Sequence, residues 1–397
     1  MYFVVLALAQ CLLAQDLPPA CLNFTVPKAD LKYDRFDSLY SCPELPKRMT
    51  PATDVRDLRP DDIGAVIAFG DSLLAGLNSG IPITQQALVD KCNGNQSMVE
   101  FRGMNFATGG DENVFSVAKA VQRYNPSVAG LSSSVTSFEY CFGFQCPAGT
   151  DSQPFNSSSW GLNAANSGAW VIQKDILNQF RYLDEYYATF VHKDEQPWNL
   201  AVIALGFNNM CWGCKKWAQL GFFSPDHFES NIKFLLNQIR QRYPKTLAVL
   251  VPPFSYQKLM NVISASPTCD AIRSAFFNKK KLCNCLEAPD DLKEIDRLAR
   301  EYASRVLKIA QEFDRLNYTT FGVIADIGFH NLDFSNVSVI DTLSGVDCFH
   351  PNARTHERLA VSLWNNLFRP QSEKKSYQIR ESQAIHCPTA DSRIVIG

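Results

Sequence analysis

Four short, almost wholly apolar runs constrain the fold of this chain more than any other feature of its sequence. They are AVIAF (65–69), LAVIAL (200–205), LAVLV (247–251) and FGVIADI (321–327). A strand with one solvated face alternates apolar and polar residues, whereas a strand buried on both faces is apolar along its whole length. The four runs therefore predict the buried strands of a parallel sheet.

Helical patterns lie between these runs and after the last of them. Apolar residues recur at three- and four-residue spacing after Ser224, a candidate N-cap that precedes Pro225 at the first helical position. The same spacing covers residues 290–314 and about 354–368. Strands that alternate with such helices favour an α/β fold with crossover helices on both faces of the sheet. Sheets of this kind bind their ligands at the carboxyl ends of the strands.

The chain is predicted to contain one large domain with flanking segments. Residues 1–15 are almost wholly apolar and predict a signal peptide, the alternative being a buried N-terminal strand or helix. Residues 16–60 form an irregular segment rich in Pro, Asp and Cys, 61–370 contain no repeat or linker, and 371–397 form a tail that we expect a disulfide to tie down. No later apolar run reaches the roughly 20 residues of a membrane helix, so we expect no transmembrane segment in the mature chain.

The cysteines and sequons indicate an extracellular protein. Of the 13 cysteines, Cys11 falls in the predicted signal peptide, and the remaining even number is typical of a chain that oxidises during secretion. Five N-x-S/T sequons are candidate glycosylation sites: Asn23, Asn95, Asn156, Asn317 and Asn336. The formal net charge of -2 offers no basic stripe of the kind that nucleic acid attracts. We therefore expect secretion and no nucleic-acid partner.

Ser72 directly follows the first apolar run, in the sequence Gly70-Asp71-Ser72-Leu73. A tight turn at this point can expose the serine hydroxyl, which becomes a nucleophile when a base takes its proton. Taken alone, the motif is better explained as an N-cap serine in a turn. The prediction of a nucleophile therefore depends on finding partners elsewhere in the chain.

Asp347 and His350 follow the last apolar run and precede the C-terminal helical pattern. Their three-residue spacing can put a carboxylate and an imidazole on the same side of one turn, where the carboxylate fixes the imidazole tautomer and the imidazole accepts a serine proton. The alternative is an Asp and a His that share a loop for structural reasons. The remaining histidines have no acidic residue three positions upstream and are expected in core or surface roles: His192, His227, His330, His356 and His386.

Two further positions are candidates for stabilising a negative oxygen on a substrate. Asn208 follows the second apolar run and could aim its side-chain amide at an oxyanion, the alternative being a turn-forming asparagine. Gly168 precedes a long helical pattern and could offer an unobstructed backbone N–H, although a lone glycine indicates only a turn.

This ordered set resembles the GDSL or SGNH hydrolase superfamily, most closely its phospholipase B branch. The supporting segments are RGMNFATGGDENV (102–114), GLNAANSGA (161–169), IALGFNNMCWGC (203–214), CNCL (283–286), DCFHPN (347–352) and LWNNL (363–367). They occur in the expected order over most of the chain, which is far more specific than a lone GDSL motif.

The resemblance implies a flavodoxin-like three-layer α/β/α sandwich with a central parallel sheet. It also implies hydrolysis of phospholipid, lysophospholipid or other lipid esters through an acyl-enzyme, with no metal and no cofactor. Carried over by position, Ser72 is the nucleophile, His350 the base and Asp347 its orienting partner. The backbone N–H groups of Ser72 and Gly168 and the side-chain amide of Asn208 would then form the oxyanion hole.

One position departs from the family pattern, because Asn209 stands where the family usually has aspartate. Asparagine replaces one acceptor oxygen by a donor, so we expect altered hydrogen bonding in this loop and an altered rate. We also hypothesise that disulfides at Cys211 and Cys348 tether the two loops that carry the candidate residues. The alternative for Cys211, with Cys214 and the cysteines of the CNCL segment, is a zinc site.

Three functions remain open at this point. An active lipid esterase working at a membrane or micelle surface is favoured, because every proposed catalytic residue is present. A secreted lipid-binding protein without turnover could retain the same fold. A deacylase of carbohydrates or small esters would use the same residues on a different substrate.

Overall fold

The computed structural model describes most of the chain. The described residues are 25–26, 42–92, 98–137, 155–191, 196–214, 221–275, 283–286, 288–334, 337–379 and 383–397. The predicted signal peptide, His192 and the sequons at Asn23, Asn95 and Asn336 lie outside them. The strands are β1 (Ile63–Gly70), β2 (Val99–Phe101), β3 (Val135–Ser137), β4 (Trp198–Ala204), β5 (Thr246–Leu250) and β6 (Phe321–Ala325).

The helices follow in the same chain order. They are α1 (Ser72–Ala75), α2 (Gln85–Cys92), α3 (Val117–Gln122), α4 (Ser157–Trp160), α5 (Gln173–Phe190), α6 (Phe207–Trp212), α7 (Pro225–Arg242), α8 (Tyr256–Ser264), α9 (Pro267–Ala275), α10 (Pro289–Arg315), α11 (Val339–Thr342) and α12 (Ala353–Leu367). Within the part of the chain that the structure describes, no helix combines the length and the apolar character needed to cross a bilayer.

The main sheet confirms the prediction from the four apolar runs. Its strands lie in the order β1-β4-β5-β6, and each neighbouring pair is parallel. The strand β6 ends at Ala325, two residues before its predicted end. There the carboxylate of the buried Asp326 accepts a hydrogen bond from the Gly328 N–H, which starts a turn.

Two structural features were not expected from the apolar runs. The short strands β2 and β3 form a separate antiparallel pair. Isolated bridges also join β1 to Ala129 and Asn163, so irregular backbone runs along the side of β1 that β4 does not occupy.

The helices flank the sheet in a three-layer sandwich, as predicted. The helices α5, α7 and α10 pack beside one another, and α12 packs against α3. The three sequence-predicted helices correspond to α7, α10 and α12 within one or two residues at each end. Ser224 caps α7 as expected, because its hydroxyl accepts a hydrogen bond from the His227 N–H at 3.2 Å.

A disulfide between Cys42 and Cys387 joins the segment before the sheet to the C-terminal tail. The tail also pairs with the body of the molecule through its backbone, since the Ile394 N–H donates to the Leu58 carbonyl and the Val395 N–H to the Leu367 carbonyl. These contacts hold the tail along α12 and the start of the sheet.

Candidate functional site

Ser72 lies where β1 ends and α1 begins. The side chain of Asp71 caps α1 by accepting a hydrogen bond from the Leu73 N–H at 3.1 Å, so the N-cap is Asp71 and Ser72 is the first helical residue. This arrangement rejects the alternative of an N-cap serine. The Ser72 side chain sits at the carboxyl end of the sheet, where ligands of such folds bind.

Ser72, His350 and Asp347 form a chain of two hydrogen bonds. The His350 Nε2 lies 2.9 Å from the Ser72 Oγ, and its Nδ1 lies 2.7 Å from the Asp347 Oδ2. Asp347 is fully buried, whereas Ser72 and His350 are each 8% exposed, so a substrate can reach the serine but not the carboxylate. Ser72 and His350 are 278 residues apart in the sequence, and the fold brings them within hydrogen-bond distance.

The turn that carries Asp347 is fixed from several directions. Its Oδ1 accepts hydrogen bonds from the N–H groups of Phe349 at 2.9 Å and His350 at 3.0 Å. Its Oδ2 also accepts from the Asn78 Nδ2 at 2.9 Å. Burial raises the pKa of this carboxyl, but the adjacent His350 and these donors outweigh that effect and lower the pKa below its ordinary value. Asp347 is therefore ionised at neutral pH.

Asn78 is a member of this network that the sequence analysis did not find. It is fully buried and holds the left-handed conformation with φ of 59°. Its side chain bridges β2 to the Asp347 turn, since its Oδ1 accepts from the Val99 N–H at 3.2 Å while its Nδ2 donates to Asp347. No motif signals such a residue, because its partner is distant in the chain.

Gly168 precedes α5 and Asn208 lies in α6, yet both line the same cleft as Ser72 and His350. Gly168 has φ of 85°, a conformation that glycine adopts without strain. The Asn208 Nδ2 donates to the Ala169 carbonyl at 3.1 Å. An amide nitrogen carries two N–H groups, so one of them remains for a ligand in the cleft.

The cleft beside Ser72 has a volume of about 630 Å³ when its open mouth is included. Its walls are mostly apolar: Leu73, Leu77, Met98, Phe207, Cys211, Phe254, Tyr256, Leu259, Phe349 and Pro351, together with Ser72, Ser167, Gly168, Asn208 and His350. A few convergent polar groups in an apolar cleft are typical of a site that orients a largely apolar ligand.

Asn209, which departs from the family pattern, lies in the first turn of α6. It is fully buried, and its Oδ1 accepts a hydrogen bond from the Val171 N–H at 2.8 Å. Its Nδ2 has no hydrogen-bond partner among the described residues. The acceptor function that an aspartate would supply is therefore retained, while the added donor is unsatisfied.

We expect Asn209→Ala to lower the free energy of unfolding by about 1–3 kcal/mol, because the buried Val171 N–H loses its acceptor. Urea unfolding measures this change. Asn237→Ala is a matched control, since among the described residues the Asn237 side chain donates to the Lys233 carbonyl on its own helix and accepts from no buried N–H. A loss no larger than that of the control would show that the Asn209 contact does not stabilise the loop.

Asp71 is a second buried carboxyl beside the site, with the opposite electrostatic behaviour. Burial raises its pKa to about 7, against the opposing effects of the Leu73 N–H and the nearby His350. An unfolded aspartate has a pKa near 4. Asp71 therefore favours the folded state in acid, and this contribution is lost as the pH rises from about 4 to about 7.

Asp71→Asn keeps an oxygen for the Leu73 N–H but cannot ionise. Its stability relative to the natural protein is therefore expected to rise by about 4 kcal/mol between pH 4 and pH 8. Urea unfolding at a series of pH values measures this difference, with the exposed Asp391→Asn as control. A difference that stays constant with pH would contradict the assignment of a raised pKa to Asp71.

The cysteines beside the site form disulfides. Cys211 pairs with Cys283, and Cys214 pairs with Cys285. Cys348, which lies inside the Asp347–His350 turn, pairs with Cys269. The hypothesis that disulfides tether both loops is thus confirmed, and the cysteines proposed as alternative zinc ligands are joined in two disulfides instead.

The other described histidines and the described sequon asparagines do not line the cleft. His356 is buried near His350, and burial together with that neighbour lowers its pKa to about 3. His330 is half-buried, with its Nδ1 2.9 Å from the Pro253 carbonyl oxygen. Of the described sequon asparagines, Asn317 is exposed after α10, whereas Asn156 is half-buried and accepts a hydrogen bond from the Ser158 hydroxyl.

The chain is similar in sequence to phospholipases of three mammals. It is 28% identical over 375 residues to "Phospholipase B1, membrane-associated" of Mus musculus, and 26% identical over 372 residues to the protein of that name from Rattus norvegicus. The Homo sapiens protein is 26% identical over 363 residues. These alignments cover 87–89% of this chain but only 22–23% of each relative. The chain thus spans less than a quarter of the length of the relatives it matches.

The family model for the GDSL-like lipase/acylhydrolase domain matches residues 66–363. That span begins in β1, ends in α12 and includes Ser72, Gly168, Asn208, Asp347 and His350. It therefore contains nearly all of the sheet and all the residues that line the cleft. The chain belongs to the GDSL-like lipase/acylhydrolase family of carboxylic ester hydrolases.

Proposed function

We propose that this chain is a secreted serine hydrolase that cleaves acyl esters of phospholipids, lysophospholipids or related lipids. The observation that carries the proposal is the hydrogen-bonded sequence Ser72 Oγ, His350 and Asp347 at the edge of a largely apolar cleft. Nucleophile, base and orienting carboxylate in this geometry form the arrangement that serine hydrolases use.

In the first step His350 acts as general base. In the neutral form of His350, the Nδ1–H donates to the ionised Asp347, and the unprotonated Nε2 lies 2.9 Å from the Ser72 Oγ. As Oγ attacks the ester carbonyl carbon, its proton moves to Nε2. The same proton then passes to the leaving alcohol, and the acyl group remains on Ser72 as an ester.

Three hydrogen-bond donors are proposed to stabilise the negative charge that develops on the carbonyl oxygen. These are the backbone N–H groups of Ser72 and Gly168 and the Asn208 Nδ2, of which one N–H is held by the Ala169 carbonyl. Preorganised donors in a partly dry site stabilise a developing oxyanion strongly. In the second half of the reaction His350 takes a proton from a water molecule that attacks the carbonyl carbon of the acyl-enzyme. The bond between the acyl group and the Ser72 Oγ then breaks, Oγ takes that proton back from His350, and the fatty acid is released.

The walls of the cleft support a lipid acyl chain as the group that is transferred. Leu73, Leu77 and Met98 lie among its lining residues, as do the rings of Phe207 and Phe254. A membrane or micelle surface would supply such a substrate. The names of the relatives, phospholipase B1, agree with this substrate class.

Secretion is the second part of the proposal. Its support is the apolar run at residues 1–15 and the disulfides, which persist in oxidising compartments. Expression in a secretory cell line is expected to place the protein in the medium, with an N-terminus near residue 16 and glycans on Asn317. Retention of residues 1–15 in the recovered protein would contradict the signal-peptide assignment.

A substrate panel tests the reaction. The natural chain and Ser72→Ala are incubated with phosphatidylcholine vesicles, lysophosphatidylcholine micelles, acetylated sugars and a soluble p-nitrophenyl ester, and released acid is quantified. We expect Ser72-dependent release of fatty acid from the lipids, unchanged by EDTA. Vesicle binding without release would indicate a lipid-binding protein, and release from the acetylated sugars alone would indicate a carbohydrate deacylase.

A further inference from the structure

A fully buried ion pair lies next to the cleft without lining it, and it takes no part in the proton transfers proposed for Ser72 and His350. Glu100 belongs to β2, and Arg102 follows that strand; both side chains are fully buried. The Glu100 Oε2 accepts hydrogen bonds from the Arg102 Nε at 3.0 Å and Nη2 at 2.7 Å. Buried ion pairs are weak evidence for stability, because desolvation offsets their attraction. Their other contacts are therefore more informative.

The second oxygen of Glu100 contacts a residue that lines the cleft. Its Oε1 accepts a hydrogen bond from the Ser167 hydroxyl at 2.6 Å. Ser167 lines the cleft and immediately precedes Gly168, the backbone donor assigned to the oxyanion. A hydrogen bond to an ionised acceptor is shorter and stronger than one between neutral groups. This contact fixes the backbone at the point where the Gly168 N–H must be aimed.

Arg102 holds the other end of the same segment. Its Nη1 donates to the Asn163 carbonyl at 3.2 Å, and its guanidinium lies 3.9 Å from the centre of the Trp160 ring. Asn163 in turn donates from its Nδ2 to the Leu74 carbonyl at 2.7 Å, which joins the segment to the helix of Ser72. The ion pair thus holds residues 160–167 at both ends.

The strand that carries Glu100 also contacts the other parts of the site. The Phe101 N–H donates to the Gly76 carbonyl at 3.0 Å, just after α1. The Asn78 N–H donates to the Val99 carbonyl at 2.7 Å, and the Asn78 side chain reaches Asp347. One three-residue strand therefore connects the Ser72 helix, the Asp347 turn and the Gly168 segment.

We propose that Glu100, oriented by Arg102, is a positioning residue that sets the Gly168 N–H relative to the Ser72 Oγ through the Ser167 hydroxyl. The inference deepens the proposed function and rests on it. Oxyanion donors act only when they are held at the place where charge develops. A loosened Gly168 segment would therefore weaken transition-state stabilisation while leaving substrate binding by the apolar walls intact.

Ser167→Ala tests this with the smallest change, because it removes the hydroxyl and keeps the ion pair. On a soluble p-nitrophenyl ester we expect kcat to fall about tenfold with KM changed less than twofold. Affinity for a trifluoromethyl ketone, which forms a tetrahedral oxyanion on the serine, should fall by the same factor as kcat/KM. Ser167→Thr restores the hydroxyl and should recover most of both losses.

Ser133→Ala is the matched control. Within the part of the chain that the structure describes, the Ser133 hydroxyl donates to the Ser158 carbonyl, just before the held segment, and Ser133 does not line the cleft. Its replacement is expected to leave kcat unchanged. Three results for Ser167→Ala would overturn the inference. The variant could have the kcat and KM of the natural protein, or it could differ in KM alone. It could also lose activity in proportion to unfolding, with no recovery in Ser167→Thr. In each of these cases hydrolysis by the natural chain and by Ser133→Ala would leave the proposed function standing. Absence of hydrolysis by the natural chain would instead reject the proposed function.

Discussion

Replacing His350 by alanine is expected to lower kcat by roughly 10⁴- to 10⁶-fold, with far less effect on KM. The reason is that the His350 Nε2 is the group at hydrogen-bond distance from the Ser72 Oγ, so its loss leaves the hydroxyl without a base. His350 is 8% exposed and lines the cleft, and removal of its ring leaves the Asp347 contacts to backbone N–H groups in place. The variant should therefore stay folded, which circular dichroism and the melting temperature will show.

His227→Ala is the control for this change. His227 lies on α7, outside the cleft, and its replacement is expected to leave kcat within twofold of the natural value. If His350→Ala kept more than about 1% of the natural kcat while folded, His350 could not be the base.

Asp347→Asn is expected to lower kcat by about 10⁴-fold although it changes a single atom. The Asp347 Oδ2 accepts from both the His350 Nδ1 and the Asn78 Nδ2. The other oxygen accepts from two backbone N–H groups, which keeps the amide oxygen of the variant there and turns its NH2 toward His350. Facing a donor, His350 would carry its proton on Nε2, the wrong nitrogen for accepting the serine proton.

Asp326→Asn separates this effect from the general cost of altering a buried carboxylate. Asp326 is also buried and accepts from the Asn366 Nδ2 at 3.0 Å and from the Tyr377 hydroxyl at 3.0 Å, but it does not line the cleft. We expect Asp326→Asn to change stability with little effect on kcat per folded molecule. Equal kcat values for the two variants would argue against an orienting role of Asp347.

The sheet could be predicted because its strands are buried on both faces. Residues that lose contact with water on both sides must be apolar, so the strands appear as continuous runs in the sequence. The strands β2 and β3 have three residues each, which is too short for a periodic pattern. Their existence depends on pairing with each other and on contacts with Asn78, which the local sequence does not encode.

The candidate residues could be found because each follows an apolar run or lies in a recognisable segment. Their supporting contacts could not, since Asn78 is 269 residues from Asp347 and Glu100 is 67 residues from Ser167. The disulfide partners of Cys211 and Cys348 could not be predicted either, because they lie 72 and 79 residues away in the sequence. Asn209 could be predicted only in part. The sequence shows that the residue is unusual for the family, but the hydrogen bond that its Oδ1 accepts from the Val171 N–H is visible only in the structure.

Labelling with a fluorophosphonate probe tests the central claim most directly, because the probe reacts with a serine only when a base and an oxyanion hole activate it. Intact mass spectrometry of the natural chain should show one adduct per molecule, and peptide mapping should place it on Ser72. Ser72→Ala should remain unlabelled, and His350→Ala should label far more slowly. An unlabelled natural chain, or an adduct that persists in Ser72→Ala, would contradict the account.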